Sequence, residues 1–221
     1  MNTSNALSHL FQRNARIARH QIFGSDDPMP INLQDDARTM FAGYVGGSYR
    51  PGGIVLLAVN PGGGGDAYQQ TAEDVVFYPL LKAFRDCAPE KAEALFGRIN
   101  DEFASVLPRW NLWRILKPTL DAAGVGLDEV AYLNAVPYRT RENRVPKLHA
   151  KEAAWRMVTG PTLDALRPGL LIALGNKAGD VMTRLYNGSA STECVPRTNG
   201  DSYISDGAKS ALKRIACLRS A

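Results

Sequence analysis

Asn134 stands at the end of an apolar run, Val130-Ala131-Tyr132-Leu133-Asn134-Ala135-Val136. A carboxamide there presents a donor edge and an acceptor edge, the pair needed to read the Watson–Crick edge of a pyrimidine. A second apolar run, Ile54 to Val59, gives way to Asn60-Pro61-Gly62-Gly63-Gly64-Gly65. Glycines after a buried strand let backbone amides approach a ligand closely. Tyr68, Phe77 and Tyr78 follow this loop and have the faces to stack on a base, or to fill a core. Three arginines, Arg139, Arg141 and Arg144, crowd the stretch after Tyr138, and arginine grips phosphate as a bidentate fork. The plain alternatives are a turn at Asn134, a surface loop at the glycines and a solvated arginine run.

For these residues to act together, the chain must bring strand ends to one place. The runs 54–59, 130–136 and 170–174 read as strands buried on both faces. A fourth strand is expected at 192–196. Helical patterns fill about 1–22, 33–44, 72–84, 89–106, 113–123, 148–166, 176–186 and 208–218. Strands alternating with helices imply an α/β fold, a three-layer α/β/α sandwich around a mostly parallel four-stranded sheet. We expect one domain over 1–221, with 1–50 as a helical extension packed on it. Ligands of such sheets sit beyond the strand carboxyl ends. Asn60, Asn134, Gly175 and the Pro196-Arg197 pair all fall there.

Other chemistries fit less well. Gly62, Gly64 and Ala67 satisfy a loose dinucleotide-binding pattern, but the next strand lies about 70 residues on, where that fingerprint needs a unit of roughly 30. No Gly-Lys-Ser/Thr follows the glycines, which excludes a nucleoside-triphosphate loop. Three scattered cysteines form no disulfide framework or Cys-x-x-Cys site, and the three histidines do not cluster with them, so no metal and no cofactor is expected. The start, Met1 to Gln12, lacks the pattern of a signal peptide, and no apolar run suits a membrane span; a cytoplasmic monomer is expected. The net charge of +4 tolerates a polyanion without requiring one.

Taken in order, four segments resemble the uracil-DNA glycosylase superfamily. Leu57-Ala58-Val59-Asn60-Pro61-Gly62 resembles the Gly-Ile/Met-Asn-Pro-Gly first motif of its mismatch-specific and single-strand-selective branches. Ala131-Tyr132-Leu133-Asn134 resembles the strand carrying the base-reading asparagine. Glu142-Asn143-Arg144-Val145-Pro146 resembles the Gly-Asn-Arg-x-Pro segment of the thermophilic branch. Leu166-Arg167-Pro168 and Ile172-Ala173-Leu174-Gly175-Asn176-Lys177-Ala178 resemble that branch's Leu-Arg-Pro and Leu-Gly-x-x-Ala passage. The resemblance runs from about Ile54 to Tyr186. The second catalytic motif, His-Pro-Ser, is replaced by Val195-Pro196-Arg197, the branch's iron–sulfur cysteines are missing, and Ala58 replaces a usual glycine.

This resemblance implies a base flipped from DNA into a pocket and cleaved through an oxocarbenium-like state. Asn60 would orient the attacking water, and Asn134 would read the base beside Gly62, Tyr68, Phe77 and Tyr78. Gly63, Gly64, Arg139, Arg141, Arg144, Pro196, Arg197 and Asn199 would contact the nucleic acid. Arg197, Asn199 or a loop amide would have to replace the donor that the motif histidine supplies. The alternatives are a non-catalytic nucleobase or nucleic-acid binder on the same fold and, more remotely, a nucleotide-processing enzyme using the glycine loop for phosphate.

Overall fold

The computed structural model describes residues 3–30, 38–41, 43–62, 73–197 and 204–220. Three apolar runs become the strands β2 (Ile54–Ala58), β3 (Val130–Asn134) and β4 (Leu170–Leu174), with every residue of each buried. Continuous burial on both pleat faces is what a parallel sheet covered by helices on each side demands. β5 (Ser191–Val195) starts exposed and ends buried, as suits an edge strand. β1 (Tyr44–Val45) pairs antiparallel with β3. The strand order is β1-β3-β2-β4-β5, and the last four run parallel.

The expected α/β architecture is therefore present, with one correction. Four parallel strands were legible and a fifth, antiparallel strand was not. A two-residue strand is too short to show alternation. It also overturns the helix expected over 33–44 at its end: Tyr44 belongs to the sheet, pairing with Tyr132. The first fifty residues accordingly contribute a strand as well as helices.

Sheet register separates the two faces. Tyr132, Leu56, Ile172 and Glu193 form one row and point the same way. Tyr132 meets Phe103 of α4 (Pro89–Val106) at 5.3 Å between ring centroids, and Glu193 meets Arg214 of α9 (Asp206–Ser220) at 2.7 Å. Those helices cover that face. Cys194 points to the other face, where a side chain at Gly179 of α8 (Asn176–Leu185) would strike its sulfur at 2.6 Å.

The remaining helices are α1 (Thr3–Ala15), α2 (Arg19–Phe23), α3 (Asp74–Asp86), α5 (Trp113–Ala123), α6 (Leu148–Ala154) and α7 (Gly160–Leu166). α1 packs on α3 and α4, and α2 packs on α6. A π-helical turn over Trp155–Thr159 joins α6 to α7 within one rod. Pro161, lacking an N–H, sits at the start of α7 and suits this widening. Among the described residues no helix is long and apolar enough to cross a membrane.

Candidate functional site

The chain leaves β2 towards β3 on one side and leaves β4 towards β5 on the other. The carboxyl ends of β2 and β4 therefore flank a topological switch point, where open α/β sheets hold their ligands. β2 ends at Asn60-Pro61-Gly62, and its pairing with β3 continues past both strands through Ala135 N–H to Ala58 O and Val136 N–H to Val59 O, at 2.8 and 2.9 Å. Asn60 and Asn134 thus lie at the same end of adjacent strands. Beyond β4, Gly175 takes φ 101°, a value that disfavours any side chain, and opens α8. Its N–H donates to Val195 O at 2.8 Å, holding the ends of β4 and β5 together.

Asn134 is 2% exposed. Its Oδ1 accepts from the Tyr132 hydroxyl at 3.3 Å, while its Nδ2 is buried without a hydrogen-bond partner. Leaving an amide donor unmet in the interior costs about 1–3 kcal/mol. Period-two alternation sets this contact, because Tyr132 lies two residues earlier on the same pleat face. Burial pushes the Tyr132 phenol well above its ordinary value, partly offset by the positive charge of Arg197 and by the bond to Asn134. Tyr132 therefore stays a protonated donor. Behind the strand, the hydroxyl of Thr159, on the π turn, donates to Asn134 O and Ala135 O at 3.3 and 3.1 Å.

Asn60 is half-buried and turns the other way. Its Nδ2 donates to Thr140 Oγ1 at 3.0 Å and Pro61 O at 3.3 Å, and Thr140 passes the relay on to Arg144 O at 2.6 Å. With both amide hydrogens committed, its Oδ1 remains to accept from a ligand or water. Gly62 is exposed, and a side chain there would meet open space, so the fold itself does not require glycine at this position.

The arginine run divides. Arg139 is buried and forks onto Asp74 of α3, with both bonds at 2.9 Å, and its guanidinium lies 4.8 Å over the Tyr78 ring. It holds the protein together rather than facing a phosphate. Arg141 and Arg144 are exposed and flank Glu142, with Arg141 Nε at 3.6 Å and Arg144 in direct contact. Glu142 and Asn143 adopt φ 56° and 55° in succession. Two non-glycine residues in the left-handed region store roughly 1–3 kcal/mol each, a strain that clusters at functional sites.

Phe77 and Tyr78 are also core residues. Phe77 packs on Phe41 at 5.4 Å and on Tyr78 edge-to-face at 5.9 Å, and both rings are nearly inaccessible. Their rings are spent on packing against Phe41, Phe103 and the Arg139 guanidinium, which removes them as open stacking platforms. Pro196 and Arg197 are half-buried past β5, and Arg197 reaches the neighbourhood of Tyr132. Gly63, Gly64, Tyr68 and Asn199 lie outside the described residues.

The sequence reading missed four supporting residues: Tyr132, Thr140, Asp74 and Thr159. Alternation around Asn134 could have found Tyr132. Long-range pairs such as Asp74–Arg139 leave no local signal. Among the described residues no group of His, Cys, Asp and Glu is assembled for a metal. Comparison with models of known protein families and with curated proteins finds no match.

Proposed function

We propose that the carboxyl edge of this sheet binds a nucleobase carried by DNA and positions water against its N-glycosidic bond, as in the uracil-DNA glycosylases that the sequence resembles. The observation that carries the reading is the buried, unmet Nδ2 of Asn134. A base carbonyl is an acceptor that relieves it, and Tyr132 fixes which edge of the amide is presented. Asn60 supports the same reading, since its anchored donors leave Oδ1 to orient water in attack on the sugar. The departing base gains negative charge, and Arg197, whose positive charge is felt at Tyr132, is our candidate to stabilise it.

A second reading, a non-catalytic base binder, is favoured by Val195. Leu174 pairs with Val195, and one further step of the β2–β4 register aligns Leu174 with Ala58, which pairs with Asn134. Val195 thus shares the Asn134 row and face, about 14 Å away at three strand spacings. On the sequence resemblance, with Pro196 aligned to the motif proline, Val195 takes the place of the motif histidine, and it offers no hydrogen bond. Incubation with single- and double-stranded DNA containing uracil, hypoxanthine or mismatched thymine separates the two. We expect slow base release that rises in Val195→His. Tight binding of such DNA without release in either protein supports the binder. Neither binding nor release overturns both.

A further inference from the structure

The turn from Arg141 to Arg144 is built against its own sequence. Arg144 N–H donates to Arg141 O at 3.0 Å, and both central residues take left-handed backbone, Glu142 at φ 56° and ψ 23° and Asn143 at φ 55°. Turns of this shape favour Asn-Gly, Asp-Gly or Gly-Gly. Asparagine visits the left-handed region readily, because its short side chain bonds locally, but glutamate does not. Something must hold Glu142 there. Its carboxylate bridges two arginines, with Oε1 3.6 Å from Arg141 Nε and Oε2 in contact with Arg144 Nη2. The side chains of Arg141 and Arg144 are 44% and 65% exposed and that of Glu142 is 30% exposed, so the cations are the partners more open to solvent.

The turn is anchored from behind. Arg141 N–H donates to Pro28 O at 2.6 Å, and Thr140 links Arg144 O to the side chain of Asn60. The bridged arginines therefore stand on the loop that leaves β3, one residue away from the contact to the proposed water-positioning asparagine. We propose that Glu142 is a stand-in for a backbone phosphate: in the free protein it occupies Arg141 and Arg144, and a phosphodiester of a bound nucleic acid displaces it. A phosphodiester spreads one negative charge over two non-ester oxygens, as a carboxylate does over its two, and arginine pairs with either. The exchange also releases Glu142 from a backbone conformation that it resists. The proposal takes from the base-excision reading only its partner, nucleic acid, and needs no bond cleavage.

Fluorescence anisotropy of a labelled single-stranded oligodeoxynucleotide without uracil, titrated with the full chain, tests this. Glu142→Gln and Glu142→Gly should each bind about fivefold more tightly than the native chain, the worth of one exposed ion pair. The gain should vanish when Arg141→Gln and Arg144→Gln are both present, whereas a long-range effect of net charge would survive there. In the free protein the urea midpoint should fall for Glu142→Gln, which keeps the strained backbone and loses the ion pairs. It should be higher for Glu142→Gly than for Glu142→Gln, since glycine takes positive φ readily. Unchanged affinity in both Glu142 variants, a gain that persists without the two arginines, or no binding by any of these proteins overturns the proposal. So does a gain seen only with phosphatidylglycerol vesicles, which makes the partner a lipid surface. Absence of uracil release with the gain intact removes the base-excision reading and leaves this one standing.

Discussion

The ends of β3 and β5 share a pleat face and the same edge of the sheet, but they are built differently. At β3 the polar group is embedded: Asn134 is buried, oriented by Tyr132 and backed by Thr159. At β5 the corresponding position is the aliphatic Val195, and polarity resumes only at Arg197 in the loop beyond. The polar group at β3 is therefore positioned by the core, whereas polarity at β5 depends on a long side chain that must be placed. On the proposed reading, such a site would hold a base by a fixed group and expel it, if at all, by a movable one.

The largest effect expected from breaking this arrangement comes from the buried fork that carries the β3 loop. Arg139→Ala leaves Asp74 charged and buried, and should lower unfolding stability by about 3–5 kcal/mol in urea titration. Arg144→Ala, on the same loop but exposed, should change stability by less than about 0.5 kcal/mol while lowering the salt slope of DNA binding by about one. Equal destabilisation by the two would remove the distinction between them.

Next in size is Asn60→Ala. Loss of water positioning should slow base release about a hundredfold with DNA affinity nearly constant, read as kcat against Kd. Undiminished release in this variant would show that water is held elsewhere.

Smaller still is Tyr132→Phe. It removes one hydrogen bond, worth about 1 kcal/mol, and frees the Asn134 amide to turn. Discrimination between uracil and cytosine in a binding assay should fall several-fold. Unaltered discrimination would mean that packing alone fixes the amide.

The smallest effect lies on β5 itself. Arg214 beside Glu193 holds that carboxyl below its ordinary value of 4.5. A depressed carboxylate contributes stability above its unfolded pKa and loses it as pH falls through the folded one. Arg214→Ala should therefore shift the onset of acid unfolding to higher pH, with under about 1 kcal/mol lost at neutrality. An unshifted acid transition would show that β5 is held by packing with no help from this pair.

Much of this was legible in the chain. β2, β3 and β4 could be read because unbroken apolar runs bounded by glycine and proline have few other uses, and α4 and α5 because their periodicity was strong. Asn60 and Asn134 could be placed at one edge because parallel strands put all their carboxyl ends together. What could not be read was the fate of the groups that follow. Arg139 and Arg141 are two residues apart in one basic run, yet only Arg139 finds a buried acid, and that acid lies 65 positions away. Phe77 and Tyr78 had the right types for stacking, and tertiary packing used them elsewhere. β1 escaped because two residues carry no period.

One feature of the edge bears on how such a site can change. Asn60 is tied to Thr140, and Asp74 is tied to Arg139. Two points fourteen positions apart in the chain, on either side of the glycine run, are thus clasped to one dipeptide. Joining two fixed points of a chain costs only about 0.6 kcal/mol more for each doubling of the length between them. Insertions between the two clasps should therefore leave the asparagine on one side and the helix on the other where they are, whatever their sequence.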